Sequence, residues 1–512
     1  MRIRIVGAGA MGRGIAQWAA TAGHTVELCD VRAEAVTAAA DFVRSMLERA
    51  VEKGRMSGPD RDAALDRLVP LDDPWAGGPE VELVIEAVRE DLDTKAEVFG
   101  RLERALPKSA VFATNTSSLS VTRIASALKD PTRLAGLHFF NPVPLMRIVE
   151  IVPGAATRPG IPAALTAFVE GCGHRAVTVA DTPGFLVNHA GRGLVTEALA
   201  LLEETVGDPA DIDRIARDVL GLRMGPFELM DLTGLDVTAA VIDSIWQGFR
   251  YADRLRPSYL TPNRVTAGLH GRKTGHGWYA YGPQAPAPAP EQPVTGDPDR
   301  PVFVHAAEGR GRDAAELRSA LTGAGAAVES GDGPSGGAVV LVPVWGTSAA
   351  SAVAGGGLPA GRTFGVDPLP PAGRRRVLAV TPAADPAAAR DARAVLARAA
   401  AGEEPWAVSV VRDTAGSVAQ RLLASIVSVA AGIAERSVAA PGDIDLAVTA
   451  GLGYPFGPLA WGDRIGAGRM LELHRALHRA TGDPRYRPSR WVTERAQLGL
   501  ALTDAGTSPA DC

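Results

Sequence analysis

A histidine in an apolar, proline-flanked stretch, His138-Phe-Phe-Asn-Pro-Val-Pro144, is followed by a carboxylate at Glu150. Imidazole titrates near neutrality, so a held histidine takes the proton of a secondary alcohol as hydride departs, and a neighbouring carboxylate stabilises the imidazolium that forms. Taken singly, such a histidine is more often a packed or surface residue, and Glu150 an ordinary strand-edge acid. They become a pair because the strands predicted to carry them are adjacent. A departing hydride needs an acceptor, and Gly7-Ala-Gly-Ala-Met-Gly12 offers a place for one. G-x-G-x-x-G between strand and helix permits a tight turn, close approach of a pyrophosphate and close helix–strand packing, with the helix N-terminus facing the phosphates. Alone that pattern is weak; Asp30 at the end of the next predicted strand strengthens it. A carboxylate there accepts hydrogen bonds from the adenine ribose and repels a 2′-phosphate, which favours NAD over NADP. Arg32 either opposes this or is simply an exposed helix-start arginine.

Two further groups belong to the same reading. Thr114-Asn-Thr-Ser-Ser-Leu119 follows a predicted strand, so its hydroxyls and amide lie at the carboxyl end of the sheet, where ligands bind, or else form a plain capping turn. Asn188 comes just after Asp181-Thr-Pro-Gly-Phe185, where a helical region begins, and an asparagine there reaches a substrate oxygen from the far side of a cleft.

The elements that must position these groups are legible in the periodicity. Strands are predicted at 2–6, 24–29, 81–86, 110–114, 133–138 and 149–152, with helical segments between them, including a long charged one from Ala33 to Gly54. Strands alternating with helices argue a mostly parallel, doubly wound sheet over about residues 1–180. From Asn188 to about Tyr251 the pattern is helical only, broken at Gly207-Asp-Pro209 and Gly225-Pro226. Residues 282–301, centred on Gln284-Ala-Pro-Ala-Pro-Ala-Pro290, read as an extended Pro/Ala-rich linker.

Residues 181–234 match 413–466 without a gap at an offset of 232, with 17 of 54 positions identical, mostly Asp, Pro and Gly. The helical domain is therefore duplicated, and Gln420 stands where the first copy has Asn188. Ahead of the second copy, 302–305 and 324–328 faintly echo the opening strand–helix–strand, in about 110 residues against about 180. The expected fold is thus a Rossmann-type doubly wound α/β sheet followed by an all-α domain, with a shortened, degenerate second copy of the pair. The expected boundaries are 1–184, 185–281, 282–300 (linker), 301–412 and 413–512.

Composition fits this picture. The chain has 512 residues, 46% of them hydrophobic, and a formal net charge of −5, so it builds real cores and lacks the basic field that would hold nucleic acid or an anionic membrane. Three cysteines, Cys29, Cys172 and Cys512, show no metal-like spacing and no disulfide framework, which suits a reducing cytoplasm. No metal site, export signal or membrane span is expected.

These motifs together resemble the 3-hydroxyacyl-CoA dehydrogenase family, including its bacterial two-unit forms acting on 3-hydroxybutyryl-CoA or 3-hydroxyadipyl-CoA. The resemblance rests on Gly7 to Gly14, Ile85-Glu86-Ala87 with Glu90 and Lys95, Asn115 to Leu119, His138 to Pro144, Asp181 to Asn188, Gly225 to Asp231 and Gly271 to Tyr279. In the second unit it rests on Asp443-Ile-Asp445 and Gly453 to Trp461. It implies His138 as base and Glu150 as its partner, with Ser117 and Asn188 on the substrate's oxygens. It implies that Gly7, Gly9, Ala10, Met11, Gly12, Asp30, Glu90, Lys95 and Asn141 contact NAD, with Ser117 close by. In this family the helical hairpin after the second strand touches the CoA phosphates; Arg49 and Lys53 lie on that segment, or else on a solvated helix face.

The reaction so implied is NAD-dependent oxidation of an (S)-3-hydroxyacyl-CoA. Two rivals are oxidation of a hydroxy acid without CoA, as in related carnitine and gulonate dehydrogenases, and a non-catalytic NAD-binding protein. The second unit is expected to bind no NAD. Its first strand leads into Ala306-Ala-Glu-Gly-Arg-Gly311, the nearest echo of the histidine motif is Arg362 to Pro368, and Ala379 falls where Glu150 would be. Single-unit relatives dimerise through the helical domain, so the second copy is expected to pack on the first as an intrachain pseudo-dimer. Homodimerisation of the whole chain stays open. A chain ending near Pro283 is expected to aggregate or dimerise through the face so exposed. For cofactor choice, steady-state kinetics should give NAD a clear advantage in kcat/KM; equal values with NADP would mean that Arg32 has taken over the ribose pocket.

Overall fold

The structure, a computed structural model, describes residues 1–283, 285, 290–509 and 512. Two compact units cut across the sequence halves: residues 1–189 with 436–452, and residues 190–435 with 453–512.

The first unit is built on eight strands: β1 (Arg2–Val6), β2 (Thr25–Cys29), β3 (Leu68–Leu71), β4 (Val81–Glu86), β5 (Val111–Thr114), β6 (Leu134–Phe139), β7 (Ile148–Pro153) and β8 (Arg175–Thr178). They form one sheet in the order β3-β2-β1-β4-β5-β6-β7-β8, parallel throughout except for the antiparallel pair β6/β7. The chain order crosses over between β1 and β4, leaving a crevice at the carboxyl ends of these strands, as doubly wound sheets do. Strands β3 and β8 were not anticipated: both are four-residue edge strands, half exposed, and β3 carries a proline, so neither shows a buried apolar run. Trp18 knits the helix Ala10–Thr21 to the sheet, packing edge-on against Phe139 and Phe168 and donating its indole N–H to His174 Nδ1 at 3.1 Å. His174 Nε2 therefore carries the proton and donates to Val143 O at 2.9 Å, anchoring the loop that follows His138.

The second unit holds a smaller sheet of β9 (Val302–Val304), β10 (Val339–Pro343), β11 (Thr363–Val366), β12 (Arg375–Val380) and β13 (Ala407–Arg412), in the order β13-β12-β11-β10-β9. Its antiparallel pair β11/β12 repeats β6/β7. The strand expected over Ala324–Val328 is reduced to a single bridge between Val302 and Val328, because the chain turns to β10 without the helical hairpin that follows β2 in the first sheet. Of the expected linker, residues 284 and 286–289 lie outside the described residues. Residues 291–300 are no free tether: Arg375 holds Glu291, Arg393 donates to Gln292 O and Pro293 O, and Arg398 holds Asp299.

The duplication is written into the backbone. Helices Pro209–Asp218, Pro226–Thr233 and Leu235–Gly248 recur as Pro441–Leu452, Pro458–Ile465 and Ala467–Thr481, each starting 232 residues later. Left-handed backbone recurs at the same offset, at Phe185 (φ 49°) and Ser417 (φ 49°), at Thr205 (φ 55°) and Ser437 (φ 52°), and at Gly221 (φ 76°) and Gly453 (φ 68°). Asp181 accepts the amides of Val121 and Thr122 as Asp413 accepts those of Ala349 and Ala350. Ala180 N donates to Val438 O, and its equivalent Arg412 N donates to Val206 O, both at 2.8 Å. The helix Pro441–Leu452 correspondingly packs on β7 and β8, and Pro209–Asp218 on β12 and β13.

Within the second unit the helix Ser417–Glu435 is the one described helix long and apolar enough to cross a membrane, and its apolar stretch is wholly buried in the protein. A Cβ on Gly193 would lie 2.8 Å from Ile426 Cα, so glycine is what lets the two helices approach. Beside that contact Arg421, 1% exposed, donates to Glu197 at 2.6 Å and to Glu204, and Tyr486 OH donates to Glu197 at 2.6 Å. Arg421→Met leaves Glu197 buried beside fewer donors and should lower the melting temperature, at a cost of about 3–5 kcal/mol. Adding Glu197→Gln should recover most of it, since no large charge is then stranded; an unchanged melting temperature in the single variant contradicts this assignment.

Candidate active site

The glycine loop is tight on one side and open on the other. A Cβ on Gly7, whose φ is +108°, would meet Ala87 O at 2.4 Å, and one on Gly12 would meet Gly7 O at 1.7 Å. At Gly9 it would meet nothing within 4 Å. The helix Ala10–Thr21 starts from Gly9 without a side-chain cap, so the amides of its first turn, around Ala10 and Met11, face open space ready for an anion. Asp30 accepts the amides of Ala8 at 2.9 Å and Arg32 at 3.0 Å, which fixes its carboxylate at the tip of β2 with lone pairs to spare. The Arg32 side chain is 73% exposed, with its nearest nitrogen 3.9 Å from Asp30. These features fit a dinucleotide with free ribose hydroxyls.

His138 and Glu150 face each other across the antiparallel β6/β7 register. His138 Nδ1 lies 2.6 Å from Glu150 Oε2, and Nε2 lies 3.1 Å from Ser117 Oγ. Both residues are buried, Glu150 with 0% exposure. The other carboxylate oxygen accepts the amides of Leu186 at 3.1 Å and Val187 at 2.7 Å. Ionised Glu150 assigns the histidine proton to Nδ1 and leaves Nε2 as an acceptor, pointed at the Ser117 hydroxyl. Phe140 and Phe185 pack against the imidazole. The left-handed turn at Phe185 delivers the two amides, and Asn188 follows, half-buried, in the first turn of the helix Val187–Glu203.

The loop carrying Ser117 is held from behind. Glu90 Oε1 accepts from Thr116 Oγ1 at 2.6 Å and from the amides of Ser117 at 2.8 Å and Ser118 at 2.9 Å. Lys95, 1% exposed, sits between Glu86 at 2.7 Å and Glu90 at 3.2 Å. Burial alone would raise the Glu90 carboxyl, but Lys95 and the three donors outweigh it and hold it down at about 2. Lys95 thus acts on the loop through two carboxylates. The role of Glu86 was not read from sequence, although a fully buried acid at the end of β4 needs a cation, and Lys95 lies about one helical turn into the following helix. Asn115 likewise has no signal of its own in the sequence; its Oδ1 accepts the Phe139 amide at 2.8 Å and ties this loop to β6.

Arg49 and Lys53 line a cavity of about 450 Å3 between the glycine-loop helix, the helix Ala33–Glu52 and the loop after His138. Arg13 and Arg55 line it too, with Asn141 at the loop side, and no carboxylate is among its lining residues. The Arg13 guanidinium stacks over Phe42 at 3.7 Å. Arg13 and Arg55 were not singled out in sequence; Arg13 sits one residue past Gly12, where helix geometry alone could have placed it.

In the second sheet the register position of His138/Glu150 falls on Asp367 opposite Val377, whose carbonyl accepts the Asp367 amide at 3.3 Å; Ala379, expected in the place of Glu150, lies two residues further along, opposite Gly365. Gln420, the counterpart of Asn188, is fully buried and bonded to Gly346 N, Val344 O and Asp367. Burial raises the Asp367 carboxyl to about 6, and no histidine–carboxylate pair stands at that register position.

Known proteins resemble the chain over nearly its whole length. The profile described as "3-hydroxyacyl-CoA dehydrogenase, NAD binding domain" matches residues 2–182, and "3-hydroxyacyl-CoA dehydrogenase, C-terminal domain" matches 184–281 and again 416–508. The chain is 34% identical over 496 residues to 3-hydroxyadipyl-CoA dehydrogenase of Escherichia coli K12, covering 97% of both chains. It is 36% identical over 280 residues to a probable 3-hydroxybutyryl-CoA dehydrogenase of Bacillus subtilis, covering 55% of this chain and 97% of the relative. The crystal structure of a 3-hydroxybutyryl-CoA dehydrogenase from Escherichia coli K12 superposes with a TM-score of 0.84 at 33% identity, covering 97% of this chain and 98% of that one.

The depressed carboxyl of Glu90 stabilises the fold above the ordinary glutamate range, and that contribution is lost as pH falls from about 4.5 towards about 2. Lys95→Met should return Glu90 towards its ordinary value and move acid unfolding, followed by circular dichroism, to higher pH. An unmoved acid midpoint would remove Lys95 from its place behind the Ser117 loop.

Proposed function

The chain belongs to the 3-hydroxyacyl-CoA dehydrogenase family, and from that premise we propose that it catalyses the reversible NAD-dependent oxidation of an (S)-3-hydroxyacyl-CoA to the 3-oxoacyl-CoA, of the 3-hydroxybutyryl or 3-hydroxyadipyl type. The single observation that carries the residue roles is His138 clamped between Glu150 and Ser117. Bound NAD supplies the hydride acceptor. His138 Nε2 takes the proton of the 3-hydroxyl, and the positive imidazolium is compensated by Glu150, which the amides of Leu186 and Val187 keep in place. In the reverse direction the same nitrogen returns the proton to the carbonyl oxygen. Ser117 and Asn188 orient the substrate's oxygens. Gly7, Gly9, Ala10, Met11 and Gly12 receive the pyrophosphate, Asp30 the adenine ribose, and Asn141 the nicotinamide half. Glu90 and Lys95 serve the cofactor side by fixing the Ser117 loop.

The cationic cavity favours a CoA substrate over a free hydroxy acid. Arg49 and Lys53, joined by Arg13 and Arg55, offer a cluster of positive charge with no acid among the lining residues, which a substrate without phosphates has no use for. Functionally the chain divides at 1–184, 185–281, 282–300, 301–412 and 413–512. The second helical copy stands in for a partner subunit, as the paired contacts Ala180–Val438 and Arg412–Val206 suggest, and the second sheet binds no NAD. Three free cysteines, one buried, suit a reducing cytoplasmic setting.

His138→Gln should lower kcat by about 10²–10⁴-fold. Glu150→Gln should act in the same direction. Calorimetry on the His138→Gln protein should return wild-type NAD affinity and one NAD per chain. Near-wild-type turnover of either variant at neutral pH would sink the dyad assignment, and two equivalent NAD sites would overturn the degenerate second unit.

A further inference from the structure

The helix Pro441–Leu452 belongs by sequence to the second helical copy, yet it packs on β7 and β8 of the first sheet. Its Gly451 lies against the two elements that seat Glu150. A Cβ at Gly451 would sit 3.1 and 3.2 Å from the two γ-carbons of Val187, and 3.8 Å from Ile148 Cγ2. Val187 is 2% exposed, and its amide makes the shorter of the two backbone bonds to Glu150, at 2.7 Å. Ile148 precedes Glu150 by two residues on β7.

We infer that Gly451 is a positioning residue for the reaction: a helix contributed by the second copy seats Val187, and through its amide sets how much charge Glu150 presents to His138. The inference rests on the dyad reading above. The absent side chain lets Val187 sit deep enough for its N–H to reach the carboxylate. A side chain at 451 pushes Val187 outward and stretches that bond. Glu150 then loses one of the two donors that compete with His138 for its charge. The less satisfied carboxylate holds the imidazolium more strongly, so the pKa of His138 rises. The base is then free only at higher pH, and the acid limb of kcat/KM for oxidation moves up. In the reductive direction His138 stays protonated to higher pH, so the alkaline limb moves up as well. A generic loss of stability scales activity at all pH values and moves neither limb.

The titratable and charged groups on the elements packed against β6 and β7 are Arg123, Glu170, Arg175, Asp443 and Asp445, with Arg147 just before β7, and the helix Val187–Glu203, joined to Glu150 through the Val187 amide, carries His189, Arg192, Glu197 and Glu203. Asp443 and Asp445 sit at the start of the Pro441–Leu452 helix, the opposite end from Gly451, and the substitutions below leave every one of these groups unchanged.

The test is the full chain carrying Gly451→Ala or Gly451→Val, with kcat/KM measured against pH in both directions. Gly442→Ala is the control, on the same helix but where a Cβ meets nothing within 4 Å. Both limbs should move up by about 0.5 pH unit or more in the Gly451 variants. The KM for NAD should hold, kcat should fall several-fold, and Gly442→Ala should behave as wild type. Val187→Ala makes room for the new Cβ, so Gly451→Ala in that background should show the limbs of Val187→Ala alone. Should Gly451→Val not fold, Gly451→Ala and its rescue decide. Unmoved limbs in folded Gly451→Ala overturn the inference. If His138→Gln is inactive in that same series the dyad still stands, whereas an active His138→Gln removes the dyad itself.

Discussion

A carboxylate buried with no exposure to water must have its charge met by donors on every side, and Glu150 shows how much structure that demand recruits. One oxygen faces His138; the other needs two backbone amides, which come from the turn at Phe185 where the sheet hands over to the helix Val187–Glu203. The antiparallel β6/β7 pair sets the register that aligns acid and base, and the left-handed residue at 185 aims the amides. Removing any one of these leaves a desolvated charge in the core.

The same logic runs one layer further out. Glu86, also with no exposure, is neutralised by Lys95, and Lys95 in turn draws Glu90 into place beneath the Ser117 loop. Ser117 therefore meets the imidazole from a loop pinned by four hydrogen bonds to one carboxylate oxygen, rather than from a mobile turn. Two buried acids, each needing partners, make a chain of contacts from β4 to His138 Nε2.

The duplicated half has no histidine–glutamate pair at the matching register and keeps the capping. Asp413 still holds the helix that Asp181 holds in the first copy, and Asp463 still accepts the amides of Leu502 and Thr503 as Asp231 accepts those of Trp278 and Tyr279. Asp181 and Asp413 satisfy helix starts, whereas Asp231 and Asp463 satisfy the amides of loops. Arg421 and Glu197 correspond to His189 and Val429 at the 232-residue offset, so their buried pair has no reciprocal partner. An ion pair that exists once favours one arrangement of the two copies over a symmetric exchange, as burial of an unmatched charge is costly.

Much of this was determined by sequence alone, where the information is local or repeats at fixed spacing. The glycine loop, Asp30 and the alternation of strands and helices follow from backbone sterics and hydrophobic periodicity, and the offset of 232 exposes the duplication. His138 and Glu150 were legible because both sit on short apolar strands one loop apart. The edge strands β3 and β8 were not, since half-exposed strands carry no apolar run. Nor did any local signal connect Lys95 to the Ser117 loop, gather Arg13 and Arg55 beside Arg49 and Lys53, or bring Gly451 against Val187. Those relations join residues far apart in the chain, and only the packing of a closed tertiary structure, in which each buried charge and each missing Cβ must be answered by a particular neighbour, decides them.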